Sequence, residues 1–188
     1  MIAAAVYAVE TGEFRNAVYS LALLGLGVSV YQLTAGAFLP GALQLISVFV
    51  LIYVLNRTLL PKASPREFAE GEYFSRAVFL IFMILSVILA CGVSDAIAPN
   101  SYSPYLLSFV LILTGFFSVA FKKDIKKIVA GIVIIEYAVE AFLTLSGERQ
   151  GITPLIGILA IVLLAVIAAR LSDRLGTTDV TKIRELRG

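Results

Sequence analysis

Two glutamates, Glu136 and Glu140, sit within the run KKIVAGIVIIEYAVEAFLTL, deep in an apolar stretch with no basic residue near them. Counted at 1.5 Å per residue from Lys127, Glu136 lies about 13 Å along a helix, close to the middle of a bilayer, and Glu140 lies about one turn further. The i,i+4 spacing stacks both carboxyls on one face. A carboxylate at that depth costs at least ~2.5–3.5 kcal/mol on insertion scales, so it faces protein or water and commonly marks an ion or proton path. Two such neighbours titrate as a coupled pair, able to pass one proton or to neutralise a passing cation. The bland alternative is a neutral, protonated carboxyl that hydrogen-bonds an adjacent helix and serves only as glue. Glu136 is read as a cation-handling group. For Glu140 both readings stand, because the polar turn beginning at Ser146 is within reach of its side chain. No other acid lies deep within a span, so a neighbouring subunit is expected to complete the path.

The remaining repertoire is narrow. The chain has no His and a single Cys, Cys91. A His/Cys metal site, Fe–S ligation and a Ser-His or Cys-His nucleophile are therefore excluded within this chain, and redox chemistry would belong to a partner. Cys91 lies in an apolar run and reads as a small helix-packing residue.

The elements that must position the glutamates follow from composition. Of 188 residues, 60% are hydrophobic and 15% charged. Soluble domains carry roughly 25% charged and 45–50% apolar residues. The mean hydropathy of +0.96 leaves too few polar side chains to cover a water-facing surface, so lipid must do so. The chain reads as all-α, a polytopic transmembrane helix bundle with six spans at about 17–34, 38–60, 75–98, 104–121, 125–146 and 152–172. Residues 1–9 form a shorter apolar piece, about 14 Å as a helix, which cannot cross alone. It reads as a half-span, an interfacial turn, or the tail of a longer helix. A net charge of +2, without basic and aromatic residues interleaved, gives no basis for nucleic-acid binding.

Sorting the basic residues by loop gives the orientation. One side receives Arg15, then Arg57, Lys62, Arg66 and Arg76, then Lys122, Lys123, Lys126 and Lys127, then Arg170, Arg174, Lys182, Arg184 and Arg187; the other receives only Arg149. Fourteen against one places the N-terminal flank and the C-terminus in the cytoplasm, with a multi-pass chain in the cell membrane. The lysine cluster reads as an orientation anchor. Gly25, Gly27, Gly36, Gly41, Gly115, Gly131 and Gly157 read as close helix contacts. Most tyrosines fall near span ends, whereas Tyr53 and Tyr137 sit deeper, where each would bond to a neighbouring helix. The 61–73 loop is the longest linker, with Asn100–Pro104 as an outer turn.

At these residues a resemblance enters. KKDIKKIVAGIVIIEYAVEAFLTL, with Thr153-Pro154-Leu155 opening the last span and the ending DVTKIRELRG, resembles the NuoK/MrpC family of small membrane subunits over about residues 103–188. Asn16-Ala17-Val18-Tyr19-Ser20 and GAFLPGALQLI are similar to the NuoJ family over about residues 14–60. The chain thus resembles a fusion, residues 1–100 NuoJ-like and 101–188 NuoK/MrpC-like with a cytoplasmic tail. Two departures stand out. Val48 and Val50 occupy the positions of a NuoJ Tyr and Gly, and the last span lacks the second glutamate of NuoK proteins.

The resemblance implies a membrane-arm subunit of a respiratory oxidoreductase of complex I-related, membrane-bound hydrogenase or sulfur-reductase type. Its partners would be Mrp/antiporter-like and hydrogenase-like subunits in a hetero-oligomer. Fe–S clusters, and Ni–Fe in a hydrogenase partner, would lie in those subunits, with no cofactor and no catalytic residue in this chain. Glu136, helped by Glu140, would take part in H⁺ or Na⁺ movement. Two rivals remain: a subunit of a stand-alone Mrp-type Na⁺/H⁺ antiporter, and a purely structural helical spacer.

Overall fold

The computed structural model describes residues 1–61, 69–97, 102–147 and 153–180, with side chains described over 77–93 and 105–121 in the two middle helices. Lys62, Arg66, Arg149, Lys182, Arg184 and Arg187, the outer turn before Tyr102 and most of the tail motif lie outside the described residues, as does the Arg76 side chain. The described chain forms seven helices: α1 (Ile2–Glu10), α2 (Phe14–Thr34), α3 (Phe38–Thr58), α4 (Ala69–Ile97), α5 (Tyr102–Phe121), α6 (Ile125–Leu145) and α7 (Thr153–Leu175).

Four of these, α2, α3, α6 and α7, are long and apolar enough to cross a membrane. The expectation of six such spans is met only in part. In α4 and α5 the described apolar stretches, 77–93 and 105–121, are shorter. Each rises about 26 Å, at the lower edge of what a hydrocarbon core of roughly 30 Å needs.

Local chemistry sets the helix ends. Between α2 and α3 the chain reverses at Gly36, whose φ of 83° is a left-handed conformation that glycine adopts without strain. Gly36 N–H donates to Leu33 O and Ala37 N–H to Gln32 O, the paired bonds of a Schellman stop. Gly36 is therefore a turn residue, not the close helix contact expected of it, and a Cβ there would meet nothing within 4 Å. Asp124 caps α6 by accepting from the Lys126 N–H at 2.9 Å.

These four helices close into a ring: α2 packs on α3, α3 on α7, α7 on α6, and α6 on α2. α5 lies outside it against α6, and α4 is peripheral against α5 through Phe79, Phe82 and Phe117. α5 and α6 meet at a glycine pair. A Cβ on Gly115 would stand 2.5 Å from Gly131 O, and one on Gly131 2.7 Å from Gly115 O. Outward faces carry Phe38, Phe49, Leu80, Ile88, Leu159 and Leu163, an apolar exterior suited to lipid or to other apolar subunits.

The short first helix runs beside α2, from Met1 against Gly27 to Glu10 at the end of the bundle where the lysines gather, here called the basic end. At this end Lys122, Lys126 and Lys127 are buried against the first two helices and the chain around them. Lys127 Nζ donates to Val9 O at 2.6 Å and also to Thr11 O, satisfying carbonyls at the end of α1. Its charge also complements the negative pole of that helix. Lys122 Nζ pairs with Glu10 Oε1 at 2.8 Å. Lys126 Nζ lies over the Phe14 ring, 5.3 Å from its centroid. The chain after α7 returns to the same place, where Ile125 N–H donates to Thr178 O and Val180 N–H to Lys123 O.

Candidate functional site

Polar side chains collect inside the ring at half height. Tyr137 is the thirteenth residue of the 21 in α6, Gly25 the twelfth of 21 in α2, and Ser47 the tenth of 21 in α3. They meet because Gly25 has no side chain. A Cβ there would stand 2.8 Å from Tyr137 Cζ and Oη and 2.6 Å from Val48 Cγ2. The phenol thus reaches across α2 to α3, where it faces Ser47 without hydrogen-bond geometry. Tyr137 is wholly buried, yet its hydroxyl makes no hydrogen bond among the described residues, so the bond expected of it is not made there; Tyr53 is 72% exposed on the outside of α3.

Glu136 and Glu140 stand one turn apart on the same face of α6, and all four of their carboxyl oxygens are buried. Glu140 is 1% exposed. At the end of α6, Ser146 Oγ donates to Phe142 O and Thr144 Oγ1 to the Glu140 carbonyl, and the turn beyond, residues 148–152, lies outside the described residues. The stem of Glu136 is half-buried, but both carboxyl oxygens are shut off from the surface. What shuts them off is α7: a Cβ at Gly157 would overlap Glu136 Oε1 and come within 2.9 Å of its Cδ.

Four polar residues of the ring were not singled out from the sequence. Ser29 and Gln32 on α2, and Gln44 and Ser47 on α3, are fully buried. Ser29 Oγ donates to Gly41 O at 2.8 Å, joining the two helices. The Gln44 amide makes no hydrogen bond through either of its polar atoms among the described residues. The signal was present as i,i+3 pairs of polar residues inside apolar runs, a spacing that puts both members on one helix face. These groups belong to the same chain as the glutamates, so the polar interior is not left wholly to a neighbouring subunit.

In chemical terms the interior offers two neighbouring carboxyls, one phenol, one amide without hydrogen bonds among the described residues and several hydroxyls, enclosed by four apolar helices. Carboxyls can take up and release a proton or hold a cation; amide and hydroxyl groups both donate and accept, and so can support water between them. Among the described residues no three His, Cys, Asp or Glu side chains gather. Cys91 is half-buried on α4, away from the ring. The chain matches no family model, no curated protein and no solved structure.

Proposed function

We propose that this chain is a membrane-arm subunit of a multisubunit respiratory oxidoreductase, in which Glu136 with Glu140 carries H⁺ or Na⁺ as electrons move in other subunits. The observation that carries the reading is the pair itself: two carboxyls one turn apart, their oxygens buried, on a helix of a ring of four helices long and apolar enough to cross a membrane. An acid in that setting is costly, and a transport role accounts for the cost. The NuoJ-like and NuoK/MrpC-like resemblances supply the class of assembly. The helices of the two resembling halves contribute equally to the ring, α2 and α3 from one and α6 and α7 from the other, as a working fusion would require.

On this reading α4 and α5 also cross, giving six spans, and the basic end faces the cytoplasm of a cell membrane. The loop bias supports that orientation. Fe–S clusters, and Ni–Fe where the partner is hydrogenase-like, reside in partner subunits together with all catalysis. Purifying the native assembly and identifying its subunits tests this directly. Hydrogenase-like or sulfur-reductase-like partners support the redox assignment, and antiporter subunits alone would move the chain to a stand-alone Na⁺/H⁺ antiporter. In either case Glu136→Gln is expected to slow cation movement.

A further inference from the structure

We propose that Gly157 is the positioning residue for Glu136, a notch in α7 that seats the carboxyl and determines how accessible it is. As a claim about cation movement this rests on the proposed role of Glu136; as a claim about where the carboxyl sits, it stands on geometry alone. Gly157 leaves no room for even one methyl group, since a Cβ would overlap Oε1 and lie 2.9 Å from Cδ and 3.3 Å from Cγ of Glu136. Both carboxyl oxygens are buried beneath it. The residues flanking Gly157 point the other way: Leu155, Ile156 and Leu159 are exposed on the outer face of α7. A single helix, thinned by a glycine, therefore separates the acid from whatever lies beside the bundle. Gly157 is also four residues from the start of α7, about 6 Å from that helix end, so the carboxyl of a mid-helix residue is covered by the second turn of its neighbour.

The contact predicts a compensating pair. In Gly157→Ala the added methyl expels the Glu136 carboxyl from its seat, whereas Asp at position 136 is one methylene shorter and tolerates the methyl. The test uses the native assembly in membrane vesicles, labelled with the apolar carboxyl reagent dicyclohexylcarbodiimide, with the adduct at position 136 quantified by mass spectrometry. Cation movement is measured in parallel. Gly157→Ala is expected to label several-fold faster than wild type and to lose transport by up to about a hundredfold, the scale of a misplacement of about 1 Å. Adding Glu136→Asp to Gly157→Ala is expected to return labelling to the level of Glu136→Asp alone. An unchanged labelling rate in Gly157→Ala, or an increase that Glu136→Asp does not reverse, overturns the proposal. Should Gly157→Ala fail to assemble, Glu136→Ala/Gly157→Ala must restore assembly; if it does not, the seat is refuted. If labelling follows the expected pattern while Glu136→Gln leaves cation movement intact, the transport role falls and the seat stands.

Discussion

The phenol of Tyr137 on α6 rests against Gly25 on α2, so close that a Cβ at position 25 would stand 2.8 Å from the hydroxyl oxygen. The same Cβ would also meet Val48 Cγ2 at 2.6 Å, so three of the four ring helices converge on one missing side chain. In an unconstrained helix, replacing Gly by Ala gains roughly 0.5–1 kcal/mol. Here Gly25→Ala is expected to cost about 1–3 kcal/mol, the usual penalty of overpacking, read as a lower Tm of the purified assembly.

The α5–α6 crossing tolerates even less. At Gly115 and Gly131 the atoms a methyl would meet are backbone carbonyl oxygens at 2.5 and 2.7 Å, which cannot rotate aside. Alanine at either position is expected to separate the helices and reduce the yield of folded protein. Gly92→Ala on α4 is the control, since a Cβ there meets nothing within 4 Å. It is expected to be neutral or stabilising by up to about 1 kcal/mol.

At the basic end, Lys127→Met keeps the apolar stem and removes the ammonium that bonds Val9 O and Thr11 O. Leaving buried carbonyls without donors costs about 1–3 kcal/mol. α1 should loosen first, seen as faster backbone hydrogen exchange over Ile2–Glu10 with little change in α2. Lys122→Met keeps the buried stem and removes the ammonium that pairs with the partly exposed Glu10 and lies 6.0 Å from the Phe117 ring centroid, and it is expected to have the smaller effect.

Gln44→Leu and Ser47→Ala separate transport from packing. Neither side chain makes a hydrogen bond through its buried polar atoms among the described residues, so apolar replacements should leave stability unchanged or raise it. If these groups help conduct the cation, transport falls several-fold in an assembly of normal stability. Unchanged rates would confine the path to α6.

Much of this architecture was legible in the residues because hydropathy and length are local properties. The ends of α2, α3, α6 and α7 fall within three residues of those read from apolar runs, and the spacing of Glu136 and Glu140 put them on one face. What escaped depends on which helix lies beside which. Gly36 and Gly157 look alike in sequence, yet one turns the chain and the other receives a carboxyl from a helix about 20 residues earlier. The contacts of the lysine cluster escaped too, since nothing local shows that α1 would end against Lys127. Gln44 and Ser47 passed unnoticed because a neutral polar residue in a span gains meaning only from the helices packed around it.

The central claim is that the Glu136–Glu140 pair moves a cation, and the most direct measurement is ion uptake per electron transferred by the native assembly in sealed vesicles. Wild type is compared with Glu136→Gln, Glu140→Gln and the double replacement, with assembly confirmed by co-purification. Neutral amides of nearly the same shape preserve packing while removing the exchangeable charge. The expected result is a large loss of uptake in Glu136→Gln and a complete loss in the double variant. Full uptake per electron in an intact double variant would contradict the claim and leave the pair a structural feature of the ring.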